Sequence, residues 1–221
     1  MRTSSKVFIM IFLTVTLCIM GSGVAQAAWS YNLTPYLWAE DYTYYRVGST
    51  VSQKGSSWVD ATRKSAGKWS NHHSNDVSKY GLSPLLYDFY FYWLSYSGGS
   101  QKYDHTIGFK TLELGTLGKT TQTGDYEDGW SQADGDTWYI RVNNDYPWSL
   151  SADGSDYYFC YWSIVTHELG HAAGLDHPDA TSWDNLATRP TMWNGLNEGE
   201  YWQRTLEAGD YEGLYQGYGY H

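Results

Sequence analysis

"HELGHAAGLDH", residues 167–177, gathers three of the chain's seven histidines into eleven residues. Residues four apart on a helix are neighbours on one face, with Cβ atoms about 5–6 Å apart, so His167 and His171 can hold one metal ion between them. Glu168 flanks that face from the same turn. A helix continued for six more residues would swing His177 about 120° away from His171, so a third ligand requires the helix to stop between them. Gly174 is where it can stop. Glycine takes the left-handed conformation that closes a helix C-terminus without a Cβ penalty, and the chain can then double back and present His177 from a loop. On this chain's own composition, HExxH arises by accident in about one such chain in 100, and adding Gly174 and His177 lowers that to roughly a few in 100,000. A structural zinc site is usually a closed cage of four ligands rich in cysteine. Three histidines leave a position open for water, as a catalytic zinc does.

The N-terminal segment "MRTSSKVFIMIFLTVTLCIMGSGVAQAAWS" has a basic start at Arg2 and Lys6, an apolar run over residues 7–20, and a small-x-small end at Ala25, Gln26 and Ala27. Residues 1–27 read as a secretory signal peptide cut after Ala27, giving a secreted, extracellular protein. The alternative is an uncleaved membrane anchor, for which the run is short against the ~20 apolar residues of a spanning helix. Residues 28–221 are enough for one domain with a sizeable core. Arg2 and Lys6 are two of the 14 basic residues; the remaining 12 face 24 acidic ones, a formal charge of −12. That balance argues against nucleic acid or an anionic membrane as partner, and after signal cleavage no stable membrane association is expected. Cys18 leaves with the signal and Cys160 remains alone, so no intramolecular disulfide supports the fold. Cys160 reads as a buried core thiol.

Twelve Trp and 22 Tyr, spread over the whole length, suit a β-rich domain. Residues 43–47 ("TYYRV") predict a strand, and Val59, Ala66 and Trp69 fall at helical spacing, predicting a helix over residues 58–69. Further strands are expected within "LLYDFYFYWLSY" (85–96), "DHTIGFKTLEL" (104–114) and "DTWYIRV" (136–142). "LGTLGKTTQTG" (114–124) reads as a strand or as an ordinary hairpin or loop. In "RTLEAGDYEGLYQ" (204–216), Leu206, Tyr211 and Leu214 approximate one apolar side of a last helix. These elements describe an α+β domain, a sheet backed by helices. The loop carboxylates Asp125, Glu127, Asp128, Asp134 and Asp136 are hard oxygen ligands suited to Ca2+; a solvated acidic loop is the alternative. His72 and His73 end the first helix and read as solvated.

"HELGHAAGLDH" resembles the extended zinc-binding motif of the metzincin metallopeptidases, and "RPTMWNG" (189–195) resembles their Met-turn. "SAGKWS", "DTWYIRVN" and "RTLEAGDYEGLYQGYG" resemble, in turn, the end of the first helix, the strand before the active-site segment and the C-terminal helix of matrixin-type domains. The resemblance implies a twisted mixed sheet backed by helices, then an active-site helix and a mostly irregular C-terminal subdomain ending in a helix. Residues 28–177 would form the upper subdomain and 178–221 the lower. It implies that His167, His171 and His177 bind Zn2+, that Glu168 is the general base and that Met192 forms an apolar floor under the metal. It further implies a secreted zinc-dependent endopeptidase whose protein or peptide substrates lie extended against an edge strand, with residues 114–124 as the candidate. Latency through an N-terminal cysteine, as in matrix metallopeptidases, is not expected, since residues 28–159 contain no cysteine. The alternatives are a secreted zinc-bearing binding module and a zinc hydrolase of non-peptide substrates. Glu168 speaks against the first, because metal binding alone does not need a carboxylate there.

Overall fold

Alternation of buried and exposed side chains along residues 137–143 sets the orientation of the sheet. In this strand, Trp138, Ile140 and Val142 are wholly buried while Thr137, Tyr139 and Arg141 turn to the opposite face. The computed structural model describes residues 31–34, 37–70, 89–94, 105–124, 136–151, 157–179 and 189–219. In chain order its strands are β1 (Asn32–Leu33), β2 (Tyr42–Val47), β3 (Tyr90–Trp93), β4 (Thr106–Lys110), β5 (Gly118–Thr123), β6 (Thr137–Asn143), β7 (Trp148–Ser149), β8 (Phe159–Cys160) and β9 (Leu175–Asp176). Five of them form one mixed sheet in the order β3-β2-β4-β6-β5. The first four run parallel, and β5 pairs antiparallel with β6 at the edge. Residues 118–123 are thus a strand rather than a loop. The fold is mixed α+β.

Helix α1 (Ser49–Ser52) is one turn after β2, and α2 (Ser56–Trp69) begins two residues before the predicted start. On α2 the buried positions are Ala61, Thr62, Ser65, Ala66 and Trp69, a stripe of helical period made mostly of small residues. Small side chains let α2 approach α3 (Tyr161–Ala172) closely enough for direct hydrogen bonds. Thr62 Oγ1 meets Tyr161 Oη at 2.8 Å, Thr166 Oγ1 donates to Ser65 Oγ at 3.1 Å, and Trp69 Nε1 donates to Thr166 O at 2.7 Å.

Helix α3 carries His167 and His171, and ten of its twelve residues are buried. A helix apolar all round must be covered all round. The sheet and α2 cover it on two sides, with Ile107, Ile140, Trp69 and Leu169 in one core. The chain from Arg189 onward covers it on a third, where Gly170 leaves room for Met192. Cys160 caps its start: Sγ accepts from Ser163 N at 3.3 Å and from Arg204 Nε at 3.0 Å. The thiol is buried.

Residues 189–207 are irregular apart from one 3₁₀ turn, Trp202–Arg204. The last helix, α4, spans Ala208–Tyr218, four residues later than the sequence predicts at its start. Arg204 belongs to the 3₁₀ turn and Thr205 is extended, while Glu207 and Asp210 form a capping box that starts the helix. Leu206 is still buried, but from the extended segment. The expected signal segment, His72, His73, Asp125, Glu127, Asp128 and Asp134 lie outside the described residues. No helix among the described residues is long and apolar enough to cross a membrane.

A Cβ on Gly170 would stand 2.2 Å from Met192 Sδ and 2.7 Å from Trp69 Cζ2. The methionine end could move; the indole, fully buried and bonded to Thr166 O, could not. Gly170→Ala is therefore expected to lower the stability of the chelator-treated protein by about 1–3 kcal/mol, the usual cost of overpacking a filled core. Urea unfolding checks this, and an unchanged midpoint would show that the contact between α3 and the Met192 turn is looser than described.

Candidate metal centre

The last carbonyls of a helix run short of backbone donors, and those at the end of α3 take side-chain donors from elsewhere. Each finds one. Gln122 Nε2 of β5 donates to His171 O at 2.9 Å, Trp38 Nε1 to Ala172 O at 2.9 Å, and Tyr218 Oη of α4 to Ala173 O at 2.9 Å. Thr34 closes the series on Gly174 O, through its backbone N at 2.8 Å and Oγ1 at 3.1 Å. The helix thus stops at a point fixed by three separate parts of the chain. Gly174 has φ of 87°, the left-handed region in which glycine alone is unstrained. The next two residues form β9, which pairs antiparallel with β1. Asn32 then donates to His177 O at 2.8 Å and holds the returning loop.

The three histidines meet there. His177 Nε2 lies 3.0 Å from His167 Nε2 and 3.1 Å from His171 Nε2. The nitrogens on the far side of two rings decide the tautomer. His167 Nδ1 lies 2.7 Å from Thr191 O, and His171 Nδ1 lies 2.8 Å from Leu175 O. A carbonyl can only accept, so each Nδ1 carries the hydrogen and each Nε2 presents a lone pair. Gln203 Nε2 also comes within 3.3 Å of His167 Nδ1, but its two hydrogens are directed at Thr191 O (3.0 Å) and Trp193 O (2.8 Å). His177 Nε2, 3.0–3.1 Å from both lone pairs, completes a group of three ring nitrogens able to face one cation. Ligand bonds of about 2.0–2.1 Å at tetrahedral angles place donor nitrogens about 3.3 Å apart, so the group fits a first-row metal ion with an adjustment of a few tenths of an ångström. Among the described residues, no other group of three or more His, Cys, Asp or Glu is placed to hold a metal.

Burial keeps the ligands neutral. It lowers His167 well below the usual histidine range and His171 to about 4, in both cases helped by repulsion from the neighbouring imidazoles. His177, half-buried, is lowered by the same desolvation against the opposing pull of Asp176. Neutral imidazole is the form that ligates metal.

Glu168 is buried beside the triad. Its Oε2 accepts from Thr120 Oγ1 at 2.7 Å, and the same hydroxyl lies 2.8 Å from Glu168 O. Burial pushes the carboxyl up to about 7, opposed by the Thr120 hydrogen bonds. A Cβ on Gly118 would stand 2.6 Å from Glu168 Oε1 and 2.9 Å from Ile164 Cγ1, so the carboxylate lies where only glycine leaves room. A cleft of about 320 Å³ opens over the group. Gly115, Thr116, Leu117 and Gly118 form one lip and Asn194, Gly195 and Leu196 the other.

Met192 is buried and packs on α3 at Gly170, in the turn whose Thr191 O orients His167. That turn is held by a residue the sequence does not single out. Asp210, wholly buried at the start of α4, accepts from Thr191 N (2.8 Å) and Glu207 N (2.8 Å) at Oδ2 and from Met192 N (3.2 Å) at Oδ1. Thr120 and Gln122, which act across 48 and 49 residues, and Gln203, which acts across 10 and 12, are likewise invisible in the sequence. Only Asp210 had a local signal, the Glu207-x-x-Asp210 spacing of a capping box. Asp136, the one loop carboxylate among the described residues, is buried at the start of β6 rather than solvated. No model of a known protein family matches the chain, and no curated protein is similar to it.

Burial raises Asp210 to about 6 against the hydrogen bonds it accepts, so the native state holds its proton more tightly than the unfolded chain does. Such a group contributes stability that is complete below about pH 3.8 and is lost as pH rises through about 6. Relative to Asp210→Asn, the wild type should lose roughly 2–3 kcal/mol between pH 4 and pH 7, about two pKa units at 1.36 kcal/mol each. Urea titrations of both proteins with chelator present measure the gap; a gap constant across that range would contradict the assignment.

Proposed function

We propose that the chain is a secreted zinc-dependent endopeptidase of metzincin, matrixin-like type. The observation that carries the reading is the convergence of three histidine Nε2 atoms beside a buried carboxylate on an open cleft. Histidine nitrogen suits zinc among the common first-row ions, and three protein ligands leave room for substrate. A mixed sheet with its edge strand laid over the histidine helix, and a buried turn at Met192 packed on that helix, support the matrixin-like reading.

Zinc held by His167, His171 and His177 supplies Lewis acidity toward a carbonyl and acidifies water toward neutrality. The chain's own residues do the rest. Glu168, a buried carboxylate beside the three histidines, is placed to take a proton from attacking water and return it to the departing amine. Thr120 aims one carboxylate oxygen, and Gly118 leaves the space in which the other lies. Thr191 O and Leu175 O keep two imidazoles in the ligating tautomer and orientation. Substrate in extended form lies along the lip at residues 115–118 and adds to the sheet beyond β5. A buried carboxylate next to a metal group has no use in a pure binding module, where it would only repel anionic ligands and add desolvation cost.

Two substitutions test the reading. Glu168→Gln should keep zinc and fold but reduce kcat/KM on a quenched fluorescent peptide by about 100–10,000-fold, the share of a positioned general base. His177→Ala should lose both zinc and activity, because two ligands on one helix hold the ion poorly. Atomic absorption alongside the peptide assay reads both. Near-normal hydrolysis in Glu168→Gln, or no zinc-dependent cleavage of casein or gelatin by the wild type, would sink the proposal.

A further inference from the structure

The face of the sheet turned away from α2 and α3 differs in charge from the rest of the chain. None of the five strands contains Asp or Glu, in a chain where acidic residues outnumber basic ones 24 to 14. The four cations those strands do contain all fall on the outer face by register. Arg46 neighbours Thr106, Arg141 neighbours Gly108 and is paired with Lys119, and Lys110 lies two residues beyond Gly108. Among the described residues none of the four is in an ion pair. Lys119 and Arg141 are direct cross-strand partners, a placing of like charges that destabilises a sheet. Arg46 Nε is buried without a hydrogen-bond partner. Arg141, held over the Tyr139 ring at 4.6 Å, makes one long bond of 3.4 Å to Ile140 O, which leaves most of its donors unused. Unused donors and uncompensated positive charge on one surface favour an anion there.

The same face continues into tyrosine. Tyr42 and Tyr44 of β2 and Tyr90 and Tyr92 of β3 share it by register, while Tyr45 and Phe91 enter the core on the other side. The rings form a continuous cluster, with Tyr92 centred 5.7 Å from Tyr42, 5.8 Å from Tyr44 and 5.7 Å from Tyr90. None of the four is buried, and Tyr92 is 46% exposed. Arg46 follows Tyr44 on the same side of β2, so the aromatic patch and the cations join at that point. From Tyr92 to Lys119 the surface crosses four strand spacings, about 19 Å. A linear polymer laid across it meets rings first and cations after, all from one side of the sheet.

We propose that this face binds an acidic polysaccharide, a chain of sugars that carries uronate or sulfate groups at intervals. The tyrosines pack on the C–H faces of sugar rings and offer their hydroxyls to sugar hydroxyls, while Arg46, Arg141 and Lys119 pair with the acid groups. A nucleic acid fits less well. It carries a phosphate at every unit, which leaves phosphates over the cation-free tyrosines and sets a dense anion against a chain of net charge −10. A lipid surface calls for protruding aliphatic side chains, and the outward positions of β2, β3 and β6 hold none. Helix α3 packs on the other side of the sheet, so a polymer held here leaves the metal cleft open.

Biolayer interferometry on the full chain with zinc present tests the proposal, using hyaluronate and κ-carrageenan oligosaccharides, dextran as the neutral polysaccharide and poly(U) as the nucleic acid. At least one acidic oligosaccharide should bind with Kd below about 100 μM at low salt, weaken as sodium chloride is added, and exceed both dextran and poly(U) in affinity. The double substitution Lys110→Gln and Lys119→Gln, at two exposed positions, should weaken binding by about fivefold or more. Tyr92→Ser should weaken it by about threefold or more with the salt dependence unchanged. Lys64→Gln, at an exposed position on α2, should bind as the wild type does. Absence of binding by both acidic oligosaccharides at low salt would overturn the proposal, and so would dextran or poly(U) binding as tightly. Affinity unchanged in Tyr92→Ser, or lowered as much in Lys64→Gln as in the lysine pair, would also overturn it, since either marks general attraction to charge rather than a site.

Discussion

The hydrogen bond between His167 Nδ1 and Thr191 O, 2.7 Å long, is the joint on which the molecule turns. On one side it connects to α3, and through α3 to the sheet and α2. On the other it connects to residues 189–207, which have only one 3₁₀ turn of their own to give them shape. Asp210 and Gln203 hold that chain in place by bonding to its backbone, and the turn in turn fixes the imidazole. A lone pair is directional, so a ligand is only as well placed as the group that holds its far nitrogen. The same bond that orients the histidine therefore docks the C-terminal segment onto the rest of the fold.

Much of this was legible in the chain, and the limit follows a physical line. The three histidines, the stop at Gly174 and the period of α2 are local features, written within one or two helical turns, and the structure has them where the sequence places them. The strand at residues 137–143 alternates plainly and forms as read; residues 118–123, rich in Thr and with one Gly, carried too weak a pattern to separate strand from loop. The contribution of Thr120, Gln122, Gln203 and Asp210 is non-local. Each is a common polar residue whose role exists only after distant segments meet. The start of α4 was misplaced for a related reason. Leu206 is apolar and buried, which period alone reads as helix, yet it is buried from an extended segment because Glu207 and Asp210 set the cap after it.

The sheet serves two surfaces with different chemistry. Its helix-facing side carries aromatic and aliphatic side chains, and Thr120 and Gln122 at the edge reach α3 from it. The opposite face and the strand ends collect Arg46, Lys110 and Arg141 in a protein that is otherwise acidic. Alternation with period two lets one strand supply both: in β6, Ile140 enters the core and Arg141 leaves it.

Residues far apart in the sequence secure the last ligand. Asn32 holds the backbone of His177, β1 pairs with β9 beside it, and Tyr218 of α4 closes the carbonyl of Ala173. A polypeptide emerging from the ribosome possesses both helical histidines long before α4 exists. The third ligand and the turn that orients the first are secured only once α4, which supplies Asp210, has been made. The metal-holding group is therefore completed only after the segment that carries Asp210 has been made.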